Sequence, residues 1–398
     1  MAARPFPTKV IGTALAEVQY GLSLAASAKG NYPIVGMKDI RDGRIHVDES
    51  IRVELDDETA GRFLLQPGDV LLNRTNSNEL VGKCAIYDGD TPVVFASYLV
   101  RLKFDEEKLL PAFANYYLNS EYGQAQLKVL STRGVSQANI NPTTFRKHFA
   151  IPFPKLDEQR RIVRVLDSAK RLENASDDLY RKCRALAAAK FVEVAKAAGG
   201  ESVKLSEIVS INADSLPDST DPNREIQYFD VSSDGDHEVS GRMRFSQAPS
   251  RARRLAEAGD VVYATIRPLL RRLFIAEDRP DAVYSTGYAV MSGPEDITRY
   301  LYHALTTEAV ERQIHAFSTG TGYPAISAGD LGDVKIHLPK KELRIDIANM
   351  ADAMFKHADT HRQIAEVAGL RHRGLMQQLL TGHQRLTRDL PGMESGHV

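Results

Sequence analysis

The chain states one plan twice. Residues 131–197 read STRGVSQANI, then HFAIPFP, then a long charged run that begins KLDEQRRIVRVLD. Residues 318–381 read STGTGYPAIS, then DVKIHLP, then a second charged run that begins KKELRIDIANMAD. Each copy is a Gly/Ser/Thr segment, a short β-like run closed by proline (Pro154, Pro339) and a long helix. Upstream, Gly68-Asp69-Val70-Leu71-Leu72 is answered by Gly259-Asp260-Val261-Val262-Tyr263. A repeat of this length means two homologous modules in tandem, not a solenoid of small units. Two similar but unequal modules, each tied to a helix, suit a protein that reads something bipartite.

Periodicity divides the chain into four segments and a tail. Residues 1–155 form a mixed block with strand-like runs at 70–75 and 92–104. A helix is predicted over 109–130, with Leu110, Phe113, Tyr117 and Tyr122 on one face, followed by a Ser/Gly/Asn loop at 131–141. Residues 156–198 are a spacer helix. Its seam of Ile162, Val165, Ala169, Leu172, Ser176, Leu179, Cys183 and Leu186 alternates spacings of three and four, and Gly199-Gly200 stops it. Residues 199–339 repeat the globular block, with strands at 260–266 and 282–291 and a helix at 297–317. Residues 340–382 are the second spacer helix. Its seam of Ile347, Ala351, Met354, Ala358, His361, Ala365, Ala368, His372, Leu375 and Leu379 is poorer and carries two histidines. Residues 383–398 read as a loose tail.

Two seams in one chain can satisfy each other, and antiparallel packing follows because a whole globular block separates them. The predicted fold is α/β (α+β), with two homologous globular domains alternating with two long antiparallel coiled-coil helices. At ~1.5 Å per residue each helix reaches on the order of 60 Å. That exceeds one turn of duplex, roughly 34–36 Å. The plain alternative is a helical hairpin that merely stabilises a two-lobed protein.

Composition narrows the class. At 398 residues, 43% apolar and 26% charged, the chain reads as an ordinary globular protein with room for two or three cores. No apolar run approaches the ~18 residues of a membrane span, and 1–13 has no signal-peptide core, so the expected location is cytoplasmic. Two distant cysteines, Cys84 and Cys183, support neither a disulfide framework nor a Cys-type zinc site. A net charge of −1 argues against generic polyanion coating.

Catalytic motifs do not emerge. There is no GxxxxGK[ST] phosphate loop, no GxGxxG after a strand and no HExxH. Asn141-Pro142-Thr143-Thr144 lacks the aromatic that would stack on a flipped adenine, and it reads as a turn. His357 and His361 stand four apart on the second helix, but the sequence places no Glu or Cys beside them. They read as a polar break in the seam, and no metal is expected.

Binding signals are clearer. Residues 251–272 hold Arg251, Arg253, Arg254, Arg267, Arg271 and Arg272, six arginines against two acids, a net of +4. Arginine holds phosphates for register or pairs with guanine in the major groove. The alternative is a solvated face with scattered ion pairs. In the first block the candidates are Arg74, Lys83, Arg133, Gln137 and Asn139, since Asn and Gln suit adenine edges. The paired loop at 318–327 offers Thr321 and Tyr323 instead. Glycines that merely serve a helix-to-strand connection would explain either loop equally well.

At IPFPKLDEQRRIVRVLD (151–167), its weaker copy IHLPKKELRIDIANMAD (336–352) and LMQQLLTGHQRL (375–386), the chain resembles the DNA-specificity subunit of type I restriction–modification systems. The resemblance implies two target-recognition domains, each reading one half of a split double-stranded DNA site, and two spacer helices that set the gap. It implies a non-catalytic chain that holds methyltransferase (modification) subunits, two in number, with S-adenosylmethionine bound in those subunits and no cofactor here. Restriction and translocation subunits would join that assembly. Leu172, Leu179, Leu186, Leu375 and Leu379 are the candidate partner contacts. The second copy departs from the pattern, with Lys341-Glu342-Leu343-Arg344 against Leu156-Asp157-Glu158-Gln159. The competing reading is a two-headed coiled-coil adaptor that does not bind DNA.

Overall fold

Both copies of the Gly-Asp-Val echo build the same turn. Gly68 and Gly259 sit at φ +92° and +93°, a left-handed conformation that glycine adopts without a Cβ clash. The Asp69 carboxylate accepts from Gln66 N at 2.9 Å, and the Asp260 carboxylate accepts from Glu257 N at 2.9 Å. Each turn launches a wholly buried strand, Val70–Asn73 or Val261–Ala264. The computed structural model in which these turns are seen describes residues 5–24, 27–134, 137–231, 239–320 and 324–386, without the side chains of Arg133, Val239, Ser240 and Leu269.

The chain divides into two units, Met1–Ser176 with Ile364–Val398, and Asp177–Gln363. In the first, Val70–Asn73 lies between Leu99–Phe104 and Cys84–Ile86, with Leu15–Tyr20 beyond Leu99–Phe104. In the second, Val261–Ala264 lies between Tyr288–Ser292 and Leu273–Ile275, with Ser210–Ile211 beyond. The first unit extends this sheet to six strands through Arg44–Ile45 and Ile40–Arg41. A smaller sheet in each unit contains one parallel pair, Tyr32–Val35 with Val94–Phe95 and Glu225–Phe229 with Ala282–Ser285. Each module opens with a strand paired to the one that precedes its long helix: Thr8–Val10 with Ala150–Pro152, and Glu201–Lys204 with Lys335–Leu338.

Three local expectations need correction. The helix predicted over 109–130 is two, Pro111–Asn119 and Glu121–Leu130. Ser120 leaves helical geometry between them, and its hydroxyl accepts from Gly123 N at 3.2 Å. The helix over 297–317 is likewise Glu295–Ala304 and Glu308–Phe317, broken at an extended Thr307. The loop expected at 131–141 is largely strand, with Ser131–Arg133 antiparallel to Ala138–Ile140.

The long helices run Leu156–Ala197 and Lys341–Thr381. Within the first unit they pack antiparallel, with the Glu173 carboxylate 3.4 Å from His372 Nδ1. Within the second, Arg184 lies over the Phe355 ring at 5.4 Å, and Phe191 and Ala195 share a core with Ile347 and Ala351. The second seam fits throughout, since all ten of its residues are buried or half-buried. The first does not: Leu172, Leu179 and Leu186 are 51%, 42% and 64% exposed. The other five predicted positions are buried or half-buried, and the buried row joins Ile162 and Ser176 of that seam to Leu166, Ala187, Phe191 and Ala195 outside it. Small side chains fill much of the contact, so the leucines that look like a zipper lie outside it. Among the described residues no helix is long and apolar enough to cross a membrane. The expected tail at 383–398 lies outside the described residues from 387 onward.

Candidate nucleic-acid interface

In the first unit the fold gathers candidates from distant segments. Arg74 follows the buried strand Val70–Asn73, and its side chain donates to Asn139 Oδ1 at 3.2 Å and to Ser97 O at 3.3 Å. Thr75 donates to the same Asn139 oxygen at 3.0 Å. The Arg74 guanidinium also lies over the Tyr20 ring at 5.0 Å. This cluster rests on a sheet of three short strands, Ser131–Arg133, Ala138–Ile140 and Thr75–Asn76. Lys83 is exposed next to it, its carbonyl accepting from Asn73 N at 2.8 Å. Gln137 is exposed, its carbonyl accepts from Gly134 N at 2.7 Å, and Arg133 pairs through its backbone with Ala138.

Sequence reasoning missed the neighbours of this cluster. A cavity of about 550 Å³ is lined by Tyr20, Thr143, Arg146 and Lys147 among others. The two basic residues sit in the last turn of Pro142–His148, a segment whose first residues are read from sequence, with Asn141, as a turn. It is a short helix, because Asn141 caps it by accepting from Thr143 N at 2.9 Å and Thr144 N at 3.2 Å. Gly12 lets that helix sit close, since a Cβ there would lie 2.4 Å from Arg146 O. The proline after Asn141 was the available signal for a helix start.

The second unit keeps the frame and changes the side chains. Ile140 N donates to Arg74 O at 2.8 Å, and Ile326 N donates to Thr265 O at 2.9 Å. Arg74 N donates to Tyr98 O at 3.0 Å, and Thr265 N donates to Gly287 O at 2.8 Å. Asn139 stands between Thr75 and Thr132, whereas Ala325 stands between Ile266 and Thr319. Tyr98 is 49% exposed, but a Cβ at Gly287 would already meet Val231 at 2.6 Å. Thr321 and Tyr323 lie outside the described residues.

The arginine run resolves into two groups. Arg251, Arg253 and Arg254 are on or beside the strand Ala252–Arg254, while Arg267, Arg271 and Arg272 flank the turn at Pro268–Leu270. Acids from outside the run meet it: Asp230 pairs with Arg251, Asp218 with Arg253 at 2.8 Å, and Glu311 with Arg271. The hydrogen bond to Asp230, with a second to Tyr228 at 3.0 Å, holds the Arg251 pKa above its ordinary value. Arg253 also lies over Phe245 at 5.1 Å, and Arg254 donates to Ser215 Oγ at 3.1 Å. Arg272 donates to Val231 O at 2.7 Å, and Arg267, at φ +50°, donates its backbone N–H to Pro324 O at 2.8 Å. The net positive charge counted along the sequence is thus diluted in space.

The helix motifs meet at the base of the first unit. Arg385 grips Glu158 through two bonds of 2.7 Å, and Arg161 donates to Leu386 O at 2.9 Å. Gln159 is fully buried, accepting from Leu110 N at 2.8 Å and donating to Pro154 O at 2.9 Å. In the second unit Arg344 takes that place, donating to Pro339 O at 2.9 Å and to Asp296 at 3.0 Å. Leu343 stands where Glu158 does and is exposed. Leu379 is buried in the first unit's own core, and Leu375 packs on it, so both are corrected as open partner contacts. The expectation that His357 and His361 lack a third donor is also corrected, because the fold brings Cys183 beside them.

Residues 19–178, about two fifths of the chain, match the family model described as the type I restriction modification DNA specificity domain. The putative type I restriction enzyme MjaX specificity subunit of Methanocaldococcus jannaschii is 33% identical over 140 residues, 35% of this chain and 33% of that protein. The type I restriction enzyme StySPI specificity subunit of Salmonella potsdam is 26% identical over 160 residues, 39% of this chain and 34% of that protein. The match thus spans about a third of the length of these curated relatives. Over nearly the whole chain the fold is that of the type I restriction-modification S subunit from M. genitalium. The TM-score is 0.56 at 16% identity, covering 94% of this chain and 96% of that one.

Proposed function

We propose that the chain is the DNA-reading subunit of a type I restriction–modification assembly, and that each module reads one half of a bipartite, asymmetric site. The observation that carries this reading is the repeated backbone frame with unlike side chains: Arg74, Asn139 and Tyr98 in one unit, Thr265, Ala325 and Gly287 in the other. Asn139 and Arg74 would read base edges in the first half-site, with Lys83, Arg133, Gln137, Arg146 and Lys147 on the backbone or neighbouring bases. In the second half-site Arg251, Arg253, Arg254, Arg267, Arg271, Arg272, Thr321 and Tyr323 would do this work. The arginines held by Asp218, Asp230 and Glu311 would act as oriented hydrogen-bond donors more than as free charge.

The spacer helices would set the gap and dock two methyltransferase subunits, which bring S-adenosylmethionine and the chemistry. Leu172, Leu179 and Leu186, exposed at seven-residue intervals on one helix, support that docking. Restriction and translocation subunits would add to this core, and the chain itself would neither cleave nor methylate. Coexpression with the modification subunits, followed by mapping of methylated adenines, tests the reading. A bipartite motif with unlike halves is expected, and a continuous motif contradicts it.

A further inference from the structure

Two histidines on one long helix meet one cysteine on the other, all inside the second unit. The donor atoms of Cys183, His357 and His361 lie within 4.8 Å of one another. Four residues apart, the two histidines leave the same helix face, and their rings meet edge to face with centroids 5.0 Å apart. Zinc binds thiolate at about 2.3 Å and imidazole at about 2.0–2.1 Å, which sets tetrahedral donors about 3.3–3.7 Å apart. The present spacing is at most about 1.5 Å wider, which side-chain rotations cover. Cys183 and His361 are half-buried and His357 is exposed, so an ion has a path from solvent.

The surroundings favour a ligand set over a mere polar break. His303, His337 and His372 each place a ring nitrogen against a carboxylate or carbonyl oxygen. Among the described residues no such partner engages His357, His361 or the free Cys183. One thiolate with two imidazoles is a soft-to-borderline set, suited to zinc and poorly suited to magnesium or calcium.

We propose that Cys183, His357 and His361 form a zinc site that clasps the two long helices together within the second unit. The thiol proton leaves to solvent as the sulfur–zinc bond forms, and the fourth tetrahedral position falls to water or to a donor from a partner. Since the donors come from both helices, the ion binds the packed state and stabilises it.

Cobalt(II) titration of the chelator-stripped full chain, followed by competition with zinc, tests the site. The unaltered chain should saturate at one equivalent, with tetrahedral visible bands and a thiolate-to-cobalt charge-transfer band in the near ultraviolet. Cys183→Ser should abolish the charge-transfer band. His361→Gln and the surface change His357→Gln should each weaken binding at least about 100-fold, because even supporting partners of metal ligands are worth 10–100-fold. Zinc should raise the Tm of the unaltered chain and leave that of Cys183→Ser unmoved. Identical cobalt spectra for the unaltered chain and Cys183→Ser would overturn the proposal, as would an octahedral aquo-type spectrum. If Cys183→Ser fails to fold, His357→Gln decides alone: undiminished cobalt affinity in that variant equally overturns it.

Discussion

Where Asn139 stands between Thr75 and Thr132 in the first unit, Ala325 stands between Ile266 and Thr319 in the second. The carbonyl that receives Ile140 N belongs to Arg74, and the one that receives Ile326 N belongs to Thr265. Backbone hydrogen bonds are indifferent to side-chain identity, so a duplicated frame can hold its geometry while its exposed groups diverge. The helix bases differ in the same manner. Gln159 and Arg344 both donate to the carbonyl of the proline five residues back, yet the Glu158–Arg385 fork has only Leu343 at the matching place. Two modules can therefore be alike in scaffold and unlike in what they recognise.

That contrast can be broken most forcefully at the helix base. Glu158→Ala leaves Arg385 without its carboxylate and should cost about 3 kcal/mol in a denaturant titration, the upper range for a charged hydrogen bond. Leu343→Ala, at the exposed matching place, should stay within about 0.5 kcal/mol. Equal losses would mean that the two bases carry the same load.

Next in size is recognition. Arg74→Ala or Asn139→Ala should each weaken binding to the cognate duplex by about 1–2 kcal/mol, read by fluorescence anisotropy at fixed salt, and relax preference in one half-site. Thr265→Ala should leave that half-site untouched.

The exposed leucines come third. Changing Leu172, Leu179 and Leu186 together to Ser should alter stability of the chain alone by under about 0.5 kcal/mol, because they lie outside the buried row. The same change should reduce copurification of the modification subunits. A large fall in stability would return the leucines to the seam.

The smallest effect is a pH slope that both units share. Burial lowers the pKa of His372 despite Glu173, with Lys170 and Arg373 adding to the shift. Burial likewise lowers His303 despite Asp352. The unfolded chain then protonates first as pH falls. The stability these neutral rings lend is complete above about 6.5 and is lost from there down toward the lowered folded values. Urea midpoints should drop between pH 7.5 and 5, and His303→Gln or His372→Gln should flatten part of that slope.

The duplication, the strand cores and the second seam were legible from sequence because each rests on local spacing. Ala351, Ala358 and Ala368 recur with the helix, and the Gly-Asp turns announce buried strands. The first seam misled because leucine spacing alone does not say which face a neighbour covers. Ala187, which carries little hydrophobic signal and stands outside the predicted seam, takes the contact where the spacing predicts Leu186. The ion pairs of the arginine run were hidden for a related reason, since Asp218, Asp230 and Glu311 reach it only through tertiary structure. Arg146 and Lys147 went unnoticed because their short helix depends on the Asn141 cap and the space at Gly12. Cys183 could not be joined to His357 and His361 before the helices were paired.

The central claim is that one frame reads two unlike half-sites. Selection of bound duplexes from a random library, run in parallel on the unaltered assembly and on Asn139→Ala, tests it most directly. The account predicts two different half-sites at a fixed gap, with Asn139→Ala relaxing positions in one half and leaving the other sharp. A palindromic or continuous motif, or equal relaxation of both halves, would contradict it.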